Sequence, residues 1–332
     1  MYIPGELMVR CSLTCDQPYK FFNLRKFDRM LRCVQAKFST LPNELLIQIL
    51  TDFTLYELIQ LSKVSSQFRF LCFSAQLWKN KQLELCCTSH DIQLLNLKQI
   101  MRYTLNIKFL QYYKCAFSNI KSLRTQGQLI ESKLTSVLQF LPRLNDIQIP
   151  QSNLSSHFLI TIINSYKLNL SLINVSGNRH VIDNVILAIA SCPLIKVVDI
   201  GSCMNAPSSA VIHLIKTRKL KRLGLQKLYN MNDLDLRGLC GALIDNCHAL
   251  EIIDLAFNHH LITQNTLELL CNALKKTKAT VVVNVSNCEQ LVRKNVERLQ
   301  KSKRSTLIIH NTVLYDYSVE SIKSYLDYIL SG

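Results

Sequence analysis

The chain has 332 residues, 48% of them hydrophobic, and its 39 basic and 23 acidic side chains give a net charge of +16. This composition, with 8 Gly and 7 Pro, excludes wholesale disorder and leaves room for two ordinary domains, or for one small domain and a solenoid. There is no run of about 18 apolar residues, and residues 1–20 lack the apolar core of a secretory signal. We therefore expect no transmembrane segment and a reducing compartment, cytoplasmic or nuclear.

No motif in the sequence indicates catalysis, a cofactor or a metal. Walker, GxGxxG, GxSxG and HExxH patterns are all absent. The 13 cysteines are scattered, and Cys86-Cys87 and Cys11-x3-Cys15 lack the paired spacing and His partners of a zinc site. The high charge admits nucleic acid, acidic membranes or acidic protein segments, but no RNA-reading signature, zinc finger or basic zipper accompanies it. We expect a non-catalytic protein without a cofactor, and nucleic acid is disfavoured as its partner.

Residues 1–38 form a basic N-terminal segment. From residue 20 to residue 38, apolar residues such as Phe27 and Leu31 recur at helical spacing opposite basic residues such as Arg29. Such a segment can lie on a membrane, act as a targeting helix or pack beside the following domain. Packing is the role that we favour.

Residues 39–80 predict three short helices. The ring of Pro42 fixes its backbone φ at a value that suits the first turn of a helix. The apolar residues from Leu45 to Phe53 then fall on one helical face. The capping-box pattern at 54–57 begins a second helix, and Ser65 can cap a third. Trp78, the only tryptophan, ends the pattern with a large apolar anchor. A domain this small cannot bury all its apolar surface alone, so we expect it to bind a partner.

Residues 41–79 resemble an F-box. They share its Leu-Pro at 41–42, an apolar run to 50, Val-Ser at 64–65 and Leu-Trp at 77–78, while Asn43 and Phe53 depart from the usual residues without a change of character. The resemblance implies docking on a Skp-type adaptor and, through it, on a cullin. The residues for which it implies adaptor contact are Leu41, Pro42, Leu45, Ile49, Leu50, Leu58, Leu61, Val64 and Trp78. Plain core packing of the helices is the alternative role of each.

From residue 144 the chain repeats the register Leu-x-x-Leu-x-Leu-x-x-Asn/Cys of a leucine-rich repeat. Six copies follow one another at intervals of 25 to 30 residues, starting at Leu144, Leu170, Ile195, Leu220, Leu250 and Thr280. Helical patterns lie between the copies, for example after the candidate cap Thr263, so each unit consists of one predicted strand and one predicted helix. Candidate strands at 83–85, 104–109 and 120–123 predict one to three irregular repeats before the first copy. A strand near 306–310 and a helix at 319–329 predict the closing cap of a solenoid.

The predicted organisation is a basic segment (1–38), an F-box (39–80), irregular first repeats (81–140) and leucine-rich repeats with a C-terminal cap (141–332). The fold class is α/β, a leucine-rich-repeat solenoid, or horseshoe, preceded by a small all-α F-box domain. This order resembles the F-box/leucine-rich-repeat substrate receptors of SCF-type cullin-RING ubiquitin ligases. The resemblance implies a non-catalytic subunit whose repeats hold the protein to be ubiquitinated. The charge favours an alternative, a repeat scaffold or assembly factor associated with nucleic acid or an organelle.

Residues between the buried Leu positions point to the concave face, because side chains alternate along a strand. The third motif position is mostly apolar, and exposed apolar columns commonly bind partners. The alternative is that β-branched residues simply suit a strand, with the C-terminal segment covering them. The candidate partner-binding residues are Leu172, Val197, Asp199, Arg222, Ile252, Asp254, Phe257 and Val282.

Basic residues concentrate where predicted helices end, at 216–222, 275–278 and 301–304. Lys and Arg are favourable at the negative end of a helix dipole. The clusters therefore predict either helix-end stabilisation or an edge that binds an acidic or phosphorylated protein substrate.

Overall fold

The computed structural model describes residues 41–53, 55–79, 81–87, 92–94, 103–104, 114–274, 281–288, 291 and 307–310. The chain forms two compact units, Met1–Ser152 and Asn153–Gly332. The predicted basic segment at 1–38, the capping residue Thr54 and the helix predicted at 319–329 lie outside the described residues.

Short helices open the described part of the first unit: α1 (Asn43–Leu50), α2 (Leu55–Leu61), α3 (Ser66–Cys72) and α4 (Ala75–Lys79). Pro42 precedes α1 as its N-cap rather than as its first residue, and its carbonyl oxygen accepts hydrogen bonds from Leu45 N at 3.1 Å and Leu46 N at 3.2 Å. The Ser65 hydroxyl accepts a bond from Phe68 N at 3.1 Å. This bond confirms Ser65 as the cap of α3.

Trp78 lies at the centre of the helical core. Its side chain is fully buried, and Nε1 donates a hydrogen bond to the Cys72 carbonyl oxygen at 2.6 Å. Its ring meets the ring of Phe117 edge-on, with centroids 5.4 Å apart. Phe117 belongs to α5 (Lys114–Phe117), beyond the four helices. The small helical domain therefore shares its core with the segment that follows it.

The first unit also contains five described strands, β1 (Gln82–Cys87), β2 (Ile92–Leu94), β3 (Tyr103–Thr104), β4 (Ser122–Gln126) and β5 (Asp146–Gln148), and helix α6 (Glu131–Leu138). Strand β4 pairs in parallel with β1 and β5, while β2 and β3 are antiparallel additions. The repeat register extends back to Ile120, because Leu123 and Thr125 of β4 are both buried. Thr125 is a polar residue at an apolar motif position, which weakens this copy in the sequence.

Strands and helices alternate in the second unit. Their order is α7 (Ser156–Tyr166), β6 (Leu172–Asn174), α8 (Asp183–Ala190), β7 (Val197–Asp199), α9 (Ser208–Thr217), β8 (Arg222–Gly224), α10 (Asp233–Asn246), β9 (Ile252–Asp254), α11 (Gln264–Ala273), β10 (Val281–Asn284) and β11 (Leu307–His310). Strands β6 to β11 pair in sequence order and in parallel. This arrangement confirms the predicted α/β repeat of one strand and one helix. No helix in the described ranges is long and apolar enough to cross a membrane.

Each repeat buries and turns the chain at the same motif positions. The first, fourth and sixth positions are at most 4% exposed wherever the structure describes them. The eighth position has left-handed backbone, with φ between 52° and 86°, at Gly127, Gln151, Gly177, Ser202, Lys227, Phe257 and Asn287. Glycine adopts this conformation without strain, yet five of these seven residues carry a side chain. The turn was therefore not visible in the sequence.

Thr263 begins α11 as predicted. Its hydroxyl accepts a hydrogen bond from Thr266 N at 3.3 Å, and the Thr266 hydroxyl accepts one from Thr263 N at 2.7 Å. This reciprocal pair is a capping box with Thr in the place of the usual Glu or Gln. It fixes the start of α11, which packs against α10 of the preceding repeat.

Candidate adaptor-binding and partner-binding surfaces

Helix α1 presents two apolar stripes, whereas the sequence predicted one face. Leu46 and Leu50 are 2% and 3% exposed, but Leu45 and Ile49 are 48% and 44% exposed. Residues four apart lie above one another on a helix, and successive residues are about 100° apart around it. One pair therefore enters the core while the other pair faces solvent.

Pro42 is exposed one turn before Leu45. We call Pro42, Leu45 and Ile49 the exposed helix stripe. The start of α1 is tied to α3, where Gln67 Nε2 donates to Asn43 Oδ1 at 3.5 Å. Phe70, one turn after Gln67 on α3, is 75% exposed. Two neighbouring helices therefore leave large apolar side chains in solvent, although a small domain gains most stability by burying them.

The other residues predicted to contact an adaptor divide by burial. Leu50, Leu58, Leu61 and Trp78 lie in the helical core, each at most 6% exposed. Leu41 and Val64 are half-buried. The core residues hold the helices together. They can contribute to binding only indirectly, because they fix where α1 and α3 lie.

The third motif position forms a row across the second unit, as the alternation of side chains predicted. Leu172 pairs with Val197, Val197 with Arg222, Arg222 with Ile252, and Ile252 with Val282. The first three residues of the row are half-buried. Ile252 and Val282 are only 8% and 4% exposed, so the expectation of an exposed column is wrong for them. Strands lie about 4.8 Å apart, so large side chains on neighbouring strands cover one another.

The fifth motif position forms a polar row beside the apolar one, with Asn174, Asp199, Gly224, Asp254 and Asn284 in register. Each side chain in this row accepts a hydrogen bond from the backbone N–H two residues later. The donors are Ser176, Gly201, Ala256 and Ser286, at 2.9 to 3.1 Å. These bonds hold the bend by which the chain leaves each strand.

Asp199 and Gln226 lie together over the glycines of this face. Gln226 Nε2 donates to Asp199 Oδ1 at 3.0 Å. A Cβ atom on Gly224 would stand 2.6 Å from Asp199 Oδ1, and one on Gly201 would stand 1.9 Å from the Gln226 amide carbon. The two glycines thus leave the space that these side chains occupy. Burial raises the pKa of Asp199 to about 6, and the charge of Asp254 adds to this increase to a smaller extent. Hydrogen bonds from Gly201 and Gln226 act in the opposite direction and lower the pKa.

Phe257 lies at the eighth position, in the turn after β9. Lys227 Nζ, at the same position one repeat earlier, stands 4.6 Å from the centre of its ring. This distance is typical of a cation–π contact. Tyr229 and His260, two and three residues further along their turns, have ring centroids 5.9 Å apart. The predicted binding residue Phe257 therefore belongs to an aromatic and basic edge, which the sequence pattern did not reveal.

The basic cluster at 216–222 has internal partners. Arg218 Nε donates to the Ala190 carbonyl oxygen at the end of α8. Lys221 Nζ forms an ion pair with Glu251 at 2.6 Å. These contacts favour helix-end and inter-repeat stabilisation for Arg218 and Lys221. The clusters at 275–278 and 301–304 lie outside the described residues.

No group of three or more His, Cys, Asp or Glu residues within the described ranges is placed to hold a metal ion. The cysteines with described side chains are free thiols, and all but Cys115 are buried. Burial raises the pKa of the Cys72 thiol to about 12. At neutral pH this thiol is protonated and acts as a small apolar side chain.

Residues 38–84 match the family model described as F-box-like. Among solved structures, the chain is similar to the Rad7 and Elc1 complex in yeast, with 12% identity over 89% of this chain and 94% of that chain and a TM-score of 0.45. It is also similar to the leucine-rich repeat-containing protein LegL7 from Legionella pneumophila, with 14% identity over 63% of this chain and 92% of that chain and a TM-score of 0.31. TM-scores this low carry no argument about function. No curated protein matches the chain.

The match at 38–84 and the alternation of parallel strands with helices lead to one conclusion: this chain carries an F-box-like domain followed by leucine-rich repeats.

Proposed function

We propose that this protein is the substrate-recognition subunit of an SCF-type cullin-RING ubiquitin ligase. Its F-box-like domain docks on a Skp-type adaptor, which links it to a cullin, and its repeats bind the protein substrate. The chain itself is a non-catalytic adaptor, since the ubiquitin-transfer chemistry belongs to other subunits. As for other F-box proteins, the cytoplasm or the nucleus is the expected location.

The exposed helix stripe is the observation that carries this proposal. Leu45 and Ile49 are almost half exposed on a helix that lies within the F-box-like match. Large apolar side chains at the centre of an interface supply much of its binding energy, often about 2 kcal/mol or more each. The helical domain thus combines the sequence pattern of an adaptor-binding module with an apolar surface that a partner can cover.

Replacing Leu45 and Ile49 together with Asp tests the adaptor role. Both side chains face solvent, so the double variant should stay folded, whereas two charges on the stripe should prevent capture of a Skp-type adaptor and of the cullin behind it. Co-purification of adaptor and cullin with the full chain is the measurement. Leu187→Asp is the matched control, because Leu187 is 43% exposed on a repeat helix and lies far along the sequence from the F-box. Adaptor capture by the double variant at the wild-type level contradicts the proposal.

The alternative, a repeat scaffold on nucleic acid, rests on the net charge of +16. It predicts that the logarithm of the binding constant for duplex DNA falls with the logarithm of salt concentration, by about 0.9 per phosphate contact. We expect no such steep slope near physiological salt. A steep slope together with failed adaptor capture favours the scaffold.

A further inference from the structure

Three short segments lie at the edge of the repeat sheet where strands β6, β7 and β8 begin. They are residues 166–171, 191–196 and 216–221, and each runs from the end of a helix to the second motif position. Together they contain six basic residues and no acidic residue. The equivalent segment of the next repeat, 246–251, ends with an acid, Glu251. Positive charge is therefore concentrated on three successive repeats.

Side-chain interactions show that these segments adjoin one another. Arg218 Nε donates a hydrogen bond to the carbonyl oxygen of Ala190, the last residue of α8. Burial raises the pKa of the Cys192 thiol, and the charges of Lys167 and Arg218 lower it. Charges act on a thiol in this way only at short range, so Cys192 is close to the segments on both sides. The three segments form one continuous surface.

Four of the six basic residues serve the fold. Lys167 is the C-cap of α7 and Lys216 lies in the last turn of α9, where a cation offsets the negative end of a helix. Arg218 is bonded to the preceding repeat, and Lys221 forms an ion pair with Glu251. These four side chains have work within the repeats.

The other two basic residues, Lys196 and Lys219, have no such role. Lys196 lies well past the end of α8, and Lys219 follows Arg218, whose extended backbone has already left α9. Both lysines are exposed, and neither forms an ion pair with an acidic residue in the part of the chain that the structure describes. Their charges are available to an anionic group of another molecule.

Two exposed leucines lie in the same segments. Leu168, directly after Lys167, is 73% exposed, and Leu194, two residues before Lys196, is 51% exposed. Leaving apolar surface in water costs about 25 cal/mol per Å². We call Leu168, Leu194, Lys196 and Lys219 the leucine–lysine patch. Apolar side chains beside uncompensated cations fit a partner that is both apolar and acidic.

The composition of the patch favours protein over the two other acidic classes of partner. Nucleic acid presents phosphates along its backbone, and its interfaces are more polar than those between proteins, so the leucines would gain little. Binding to acidic lipid takes a long apolar helix face or an acyl chain, and two leucines in turns provide neither. A peptide segment can carry carboxylates and an apolar side chain within a few residues of each other.

We infer that the leucine–lysine patch binds an acidic segment of a protein partner. Asp or Glu carboxylates of that segment pair with Lys196 and Lys219. An apolar side chain of the same segment covers Leu168 and Leu194. This deepens the proposed function by giving the chemistry of the substrate and the edge on which it lies, and in that respect it rests on the proposed function. The patch lies wholly within the second unit, so its binding can be measured without an adaptor.

Three labelled peptides test the inference on the purified full chain, with fluorescence anisotropy as the measurement. All are short Gly/Ser peptides that carry Glu and Leu, Gln and Leu, or Glu and Ser at the same positions. We expect the Glu/Leu peptide to bind at least roughly tenfold more tightly than either of the others, or about 1.4 kcal/mol. Its advantage over the Gln/Leu peptide should shrink at high salt, which screens exposed charges.

Two double variants separate the contributions of charge and apolar surface. In Lys196→Gln/Lys219→Gln the preference for Glu over Gln should fall below about twofold, while the preference for Leu over Ser remains. Leu168→Ser/Leu194→Ser should show the reverse. All four side chains are exposed, so thermal melting should find both variants folded. A variant that unfolds would show that the patch serves the fold and would overturn the inference.

Arg179→Gln/Arg237→Gln is the matched control, because it removes two positive charges from exposed positions of the same unit outside the three segments. It should keep both preferences. A wild-type chain that binds all three peptides equally overturns the inference, as do preferences that survive the patch substitutions or are lost equally in the control. Tighter binding of duplex DNA or of phosphatidylserine vesicles through Lys196 and Lys219 also overturns it. Because no adaptor takes part, failed adaptor capture leaves this result unaffected, and the reverse also holds.

Discussion

At the scale of single residues, Asp199 on the sheet face gives the folded chain a pH-dependent stability. The pKa of Asp199 is raised to about 6, chiefly by burial and secondarily by Asp254. At pH values between the ordinary pKa of an Asp side chain and about 6, the folded chain keeps a proton on Asp199 that the unfolded chain has released. Stability therefore falls as pH rises through this window and levels off above it.

Asp199→Asn removes this dependence. We expect the variant to be more stable than the wild type at pH 7 by about 1–2 kcal/mol, after allowance for partial exposure, and the gain to shrink towards pH 4. Urea unfolding at a series of pH values measures it. A variant that is less stable than the wild type at pH 7 would show that the charge of Asp199 serves the fold.

At the scale of secondary-structure elements, the short helices of the F-box-like domain depend on their ends. Helix α3 has seven residues, fewer than a helix needs to be stable by itself. Ser65→Ala removes the hydroxyl that accepts the Phe68 N–H bond and should lower the free energy of unfolding by about 1 kcal/mol. Ser66→Ala, on the exposed next residue, should change it by less than about 0.5 kcal/mol. Equal effects in chemical denaturation would show that the cap contributes nothing.

Elements with a strong local signal were predicted correctly from the sequence. Ser65 and Thr263 were recognised as caps because a hydroxyl at that position satisfies a backbone donor. The repeat strands were recognised because the fourth and sixth positions alternate with the polar fifth. The split of α1 into two stripes was not predictable, because Leu45 and Leu46 have the same character and only the packing of α1 against the rest of the domain, α3 included, decides which one is buried.

At the scale of the whole molecule, the repeat architecture was visible in the sequence, while the contacts within its polar row were not. The motif marks the buried leucine positions, and neither Gly224 nor Gln226 lies at one of these positions. Their role appears only when strand pairing brings Asp199, Gly224 and Asp254 into one row. The copy starting at Ile120 was similarly obscured, since Thr125 stands where the motif has an apolar residue.

The central claim is that the exposed helix stripe docks on a Skp-type adaptor. Backbone hydrogen exchange of the full chain, with and without purified adaptor, tests it most directly. The account predicts slower exchange at 41–50 and 66–72 when adaptor is present, no change in strands β6 to β9, and no protection at all in Leu45→Asp/Ile49→Asp. Bound adaptor that protects the repeat strands and leaves 41–50 unchanged contradicts the account, as does a wild-type chain that shows no protection anywhere.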